Sequence, residues 1–121
     1  MTVPLATAIE NTGRWRVIRV EGELTRETVS RFRDDLRTYE PAEGQLVIDL
    51  SALSFIDSSG ISALVDLAIR CGHARRMGIV APRRELRRKL EMMSLRRAFI
   101  FKPDMRSLEA ALEREPGAPT A

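Results

Sequence analysis

Hydrophobic and polar positions alternate in two short stretches near the start of the chain, Val3, Leu5, Thr7 and Ile9, then Trp15, Val17, Ile18 and Val20. Period-two patterning with β-branched residues predicts strands, and Asn11-Thr12-Gly13 between them signals a turn, so a β-hairpin is expected. Gly22 closes the run. From Thr25 the spacing changes: Val29, Phe32, Leu36 and Tyr39 recur every three or four residues with charges between them. That pattern predicts an amphipathic helix with Thr25 as N-cap, ended by Pro41-Ala42-Glu43-Gly44. Residues 45–50 then form an almost unbroken apolar run, the pattern of a central strand buried on both faces.

A short loop is expected after Leu50, followed by a helix carrying Ile61, Leu64, Val65, Ala68 and Ile69 and finishing at Gly72. Met77 to Ala81 reads as a strand, Pro82 as a first-turn proline, and Leu86, Leu90 and Met93 as the buried side of a basic helix. Ala98 to Phe101 reads as the last strand. Asp104 is the N-cap candidate of a closing helix with Met105, Leu108, Ala111 and Leu112 on one face, and residues 115–121 read as a flexible tail. The expectation is a single α/β domain over residues 1–114, with element order β-β-α-β-α-β-α-β-α. Its mixed sheet would hold about five strands under about four helices, the helices acting as crossovers between parallel strands.

Composition narrows the function. One cysteine, Cys71, and one histidine, His73, exclude an intrachain disulfide and a four-ligand Cys/His zinc site. No run approaches the roughly 20 apolar residues of a membrane span, and the first ten residues lack a signal-peptide layout, so a cytoplasmic protein is expected. The net charge is only +3, but it is unevenly spread: residues 70–106 hold 12 basic and 3 acidic groups. Such a stretch suits an acidic protein surface, an anionic headgroup or a phosphate backbone, or is simply a solvated face. Arginine outnumbers lysine 18 to 2, as in the proteins of GC-rich bacterial genomes.

The unusual chemistry lies in Asp57-Ser58-Ser59-Gly60, between the buried strand and the second predicted helix. Ser58 directly precedes the helical periodicity, so its hydroxyl is expected to cap the first turn, with the Asp57 carboxylate near the positive helix end. As a capping turn this needs no function. In its wider setting, however, DLSALSFIDSSGI resembles the signature of the STAS domain family, and specifically of the bacterial anti-sigma factor antagonists. Gly22-Glu23-Leu24, the VIDL strand, the proline-started helix ending near Met93-Ser94-Leu95 and the closing helix match as well, so the likeness covers nearly all of residues 3–113. Thr25 and Ser94 depart from it, standing where aspartate and glycine are usual.

That resemblance implies a partner-switching protein rather than an enzyme. The unphosphorylated form would bind an anti-sigma factor that is also a serine kinase and so release the sigma factor. Phosphorylation of Ser58, with Ser59 as the alternative acceptor, would switch binding off until a phosphatase restores it. The implied contact surface is Asp57, Ser58, Ser59, Gly60 and Ser62, with Gly22 and Glu23 from the neighbouring loop. A phosphate adds about −1.5 to −2 charges, enough to break an interface while a helix N-terminus tolerates it locally. The main alternative keeps the fold as a phosphate-independent accessory subunit of a phospholipid-transport or stress-signalling complex.

Other classes have less behind them. A Ser-His-Asp triad would rest on His73, which lies beyond the predicted helix, and Cys71 reads as a small packed side chain rather than a nucleophile. Neither a Walker nor a Gly-x-Gly-x-x-Gly motif occurs, so no cofactor is expected and ATP would belong to the partner. The basic stretch has only Phe99 and Phe101 as aromatics, which disfavours nucleic acid. Trp15 is assigned no function.

Overall fold

A computed structural model describes residues 4–12, 14–37, 46–71, 77–92 and 95–114. Five strands form one sheet in the order β1-β2-β3-β4-β5: β1 (Ala6–Asn11), β2 (Arg16–Leu24), β3 (Leu46–Ile56), β4 (Met77–Val80) and β5 (Phe99–Lys102). The β1–β2 pair is antiparallel, as the hairpin pattern predicts, and the remaining three pairs are parallel. Four helices connect or follow them: α1 (Val29–Arg37), α2 (Ser58–Cys71), α3 (Arg84–Met92) and α4 (Met105–Glu113), with a 3-10 turn at Leu95–Arg97. The predicted element order is therefore the observed one.

Alternation along the strands divides the apolar side chains between two faces. Ile18, Val20, Leu46, Ile48, Leu50 and Ile79 point to the larger core, where they meet Phe32 and Leu36 of α1, Leu64 and Leu67 of α2, and Leu86 and Leu90 of α3. Val17, Val47 and Val80 point the other way, to a smaller cluster closed by Trp15 and by Leu108 and Leu112 of α4. Trp15 is thus a core residue. A Cβ on Gly78 would come within 2.6 Å of Leu108 Cδ2, so its absence lets α4 sit close against β4.

The central strand differs most from expectation. It runs to Ile56 and takes in the segment Ser51–Phe55 that reads as a loop. Register explains the misreading: Arg19 and Glu21 of β2 face Asp49 and Ala52, and Gly22 and Glu23 face Leu53 and Phe55. In each interval β3 carries one residue more than β2, which is the mark of a β-bulge. The bulges place Leu50, Leu53 and Ile56 in the core at a spacing of three, a period no regular strand shows.

Helix starts hold smaller corrections. Thr25 Oγ1 accepts from the Glu27 amide at 3.3 Å while the Thr25 amide donates to Thr28 Oγ1 at 2.9 Å, a reciprocal cap in a turn that precedes α1 by one step. Arg83, whose carbonyl accepts from the Arg87 amide at 3.1 Å, opens α3, so Pro82 lies before the first turn rather than in it. Asp104 caps α4 as expected, accepting from the Ser107 amide at 2.8 Å. Val3, Gly13, Tyr39, residues 41–45, Gly72, His73, Met93, Ser94 and the tail from 115 lie outside the described residues, as does the Cys71 side chain.

Candidate functional site

The parallel strands β2 and β3 end side by side, Leu24 opposite Ile56, and the chain leaves each into a helix-forming turn. Asp57 joins the two exits. Its amide donates to the Leu24 carbonyl at 3.2 Å, and its carboxylate accepts from the Arg26 amide at 2.9 Å and from the Gly60 amide at 3.0 Å. The Ile61 amide closes the first helical turn on the Asp57 carbonyl at 3.0 Å. The cap of α2 is therefore Asp57, not Ser58 as the sequence pattern suggests: the carboxylate, one residue earlier, already takes the first-turn amide, and Ser58 is the first helical residue. Desolvation alone would raise the Asp57 pKa, but the amides of Arg26, Gly60 and Ser59, with the Arg26 charge, outweigh it and hold the carboxyl below its ordinary value.

Relieved of capping, the Ser58 side chain is exposed, as is Ser62 one turn on, while Ser59 is half-buried. Gly60 is buried, and a Cβ there would lie 2.5 Å from the Leu24 carbonyl oxygen and 2.6 Å from Ile56 Cγ1. The glycine is what lets α2 start hard against the end of β2. Gly22 is buried too, at φ +98°, where a side chain would overlap the Pro4 carbonyl, and Ser54 Oγ donates to its carbonyl at 3.0 Å. Glu23 is half-buried beside it. The residues named from the sequence thus gather at one end of the sheet, where the inner strands β2 and β3 finish, Ser58 and Ser62 outward, Gly22 and Gly60 inward as spacing elements.

Sequence patterning marked the basic stretch that holds the α3 cations, but not which groups they meet or that Phe55 lies beside them. Arg83 donates to the Leu53 carbonyl at 2.7 Å and the Ser54 carbonyl at 3.3 Å, Arg87 to those of Ala81 and Pro82 at 2.7 and 2.8 Å, and Lys89 to that of Ile56 at 3.1 Å. Phe55 is 51 % exposed, and the Lys89 ammonium lies 5.8 Å from its ring centroid. Phe55, Arg83 and Lys89, with Ser54, Arg84, Glu85 and Leu86, line an open groove of about 510 Å³ at the end of β3. The signal available beforehand was the outward phenylalanine in a segment otherwise split between core and polar residues. Among the described residues no group of His, Cys, Asp and Glu could hold a metal ion, and no helix is long and apolar enough to cross a membrane.

Comparison with known proteins agrees with this architecture. The chain is similar to an anti-sigma factor antagonist from Mycobacterium paratuberculosis, at 26% identity and a TM-score of 0.78, over 91% of this chain and 95% of the other. It shares its fold with SpoIIAA, described as an anti-sigma factor antagonist in its unphosphorylated form (23% identity, TM-score 0.64, 90% and 96% covered) and as a Bacillus cell fate determinant in its phosphorylated form (21%, 0.62, 88% and 99%). No curated relative matches the sequence. The profile of the STAS domain matches residues 6–108, nearly the whole of the folded chain. The protein belongs to the STAS domain family.

Proposed function

We propose that this protein is an anti-sigma factor antagonist that binds its anti-sigma factor through the surface around Ser58, at the ends of β2 and β3, and that phosphorylation of Ser58 ends that binding. The observation that carries the reading is the division of labour between two adjacent residues. Asp57 is tied down by amides from two turns, whereas the Ser58 hydroxyl stands exposed on the first turn of a helix. A kinase needs an accessible hydroxyl on a defined backbone. A phosphate there would face the helix N-terminus, which tolerates it, and the fixed Asp57 carboxylate, which turns it outward into any docked partner. Likeness to the mycobacterial antagonist supports the same role. Gly22, Glu23, Ser59, Gly60 and Ser62 complete the proposed surface, the two glycines through backbone shape. The partner would be an anti-sigma factor with serine kinase activity, which brings the ATP, and a phosphatase would reverse the switch; the protein itself performs no chemistry in this scheme.

The test is phosphorylation by the serine-kinase anti-sigma factors of the same genome, with the site mapped by mass spectrometry, followed by calorimetric binding of Ser58→Ala and Ser58→Asp. Phosphate on Ser58 is expected, with Ser58→Ala binding like the wild type. Ser58→Asp should bind at least about tenfold more weakly, a partial mimic because one carboxylate carries less charge than a phosphate. Equal affinity of the two variants would sink the switch. Phosphate on Ser59 would move it by one residue, and phosphate on neither would leave the accessory-subunit reading.

A further inference from the structure

The groove between the end of β3 and the start of α3 is not needed by a switch at Ser58, and its charge is unanswered. Ion pairs among the described residues include Arg14–Glu113, Arg19–Glu10, Arg19–Asp49, Arg31–Asp35, Arg33–Asp66 and Arg37–Asp34. None of these involves α3 or Arg83. Arg83 and Lys89 spend some of their hydrogens on backbone carbonyls, which satisfies donors without cancelling charge. Arg84 is exposed and meets no carboxylate among the described residues. Three cations and one carboxylate, Glu85, therefore line a groove whose floor is edged by a half-exposed phenylalanine.

Resting on the function proposed above, we infer that this groove is a second docking element for the same anti-sigma factor, and that it receives an acidic segment carrying an apolar or aromatic side chain. The apolar group would cover Phe55, completing the burial that Lys89 begins from one side, and the carboxylates would meet Arg84, Arg83 and Lys89. An exposed aromatic edged by cations is the composition of an interface anchor rather than of a solvated face. The shape also selects the ligand class. Small-molecule sites enclose most of their ligand and orient it with placed polar groups, whereas here the polar lining is exposed and, among the described residues, Phe55 is the one ring lining the groove, with none to sandwich a base. A single aromatic likewise makes no stacking track for a nucleic-acid strand. Because Phe55 and Ser58 are three residues apart, a partner seated on one reaches the other, and the groove would supply affinity that is independent of phosphorylation.

Binding of the purified anti-sigma factor is measured for the wild type, Phe55→Ala, Arg84→Glu and Ser58→Asp at low and high salt, with thermal melts as a folding control. Both groove residues are exposed, so their variants should melt like the wild type. Phe55→Ala is expected to weaken binding about tenfold or more, chiefly through faster dissociation. Arg84→Glu is expected to slow association and flatten its salt dependence, which loss of packing alone would not do. If Ser58→Asp impairs binding while both groove variants bind like the wild type, the groove inference is wrong and the function stands. If the wild type binds no anti-sigma factor, the function falls and the groove inference with it. Shifts of the Phe55 and Lys89 NMR signals on adding ATP or anionic vesicles, without effect of the variants on partner binding, would reassign the groove to those ligands.

Discussion

Helices α1 and α3 make the same contribution to the core and opposite contributions to the surface. Each has nine residues, lies on the same face of the sheet and buries two large side chains, Phe32 and Leu36 in one, Leu86 and Leu90 in the other. On α1 the arginines find carboxylates: Arg31 meets Asp35, Arg37 meets Asp34, and Arg33 reaches across to Asp66 of α2. At α3 the cations turn to backbone oxygens at the ends of β3 and β4 or to solvent. A basic helix is therefore not explained by calling it wet. Part of its charge closes open strand ends that have run out of ladder partners, and part is left facing outward.

The comparison can be broken first at the core. Phe32→Ala and Leu90→Ala should each destabilise by about 2–5 kcal/mol in urea unfolding, since both side chains are fully buried. A cost near zero for Leu90→Ala would mean that α3 is not held as α1 is. Next come the arginines. Arg87→Met removes a charged donor from two carbonyls and should cost about 1–2 kcal/mol, whereas Arg33→Met removes an exposed ion pair and should cost under about 1 kcal/mol. The reverse ranking would overturn the distinction. A further effect, of similar size to the arginine changes, is on pH. The Asp57 carboxyl is held below its ordinary value of 3.8 in the folded state, so its contribution is fully present above that value and fades as pH falls through the folded pKa. Asp57→Asn should therefore be less stable near neutrality and lose less stability between pH 4 and pH 2 than the wild type, at about the 1 kcal/mol scale of a helix cap. An unchanged acid slope would show that Asp57 is not the tie between the two turns.

What could be read from the sequence was whatever had a period. The hairpin, the amphipathic helices and the apolar run of β3 declared themselves because burial on one or both faces repeats along a regular backbone. The second half of β3 did not, because two extra residues destroy the alternation while keeping the strand. At the candidate site, Asp57-Ser58-Ser59-Gly60 was visible as a string, yet which residue caps and which projects depends on the Arg26 amide, 31 positions away and without any side-chain signal. The groove was hidden for the same reason. Arg83 and Lys89 look like any surface cations until the carbonyls they serve are brought beside them by the sheet order.

The irregular pairing of β3 has a consequence for what changes this chain can absorb. Ser51, Ala52, Ser54 and Phe55 are exposed, so substitutions there leave the apolar interior in place. Their number is not open to change. Removing one residue between Leu50 and Ile56 would rotate everything downstream by half a pleat, turning Ile56 outward and carrying Asp57 away from the Arg26 amide. The stretch should accept many substitutions and almost no insertion or deletion, with its length acting as the ruler that sets where the exposed serine stands.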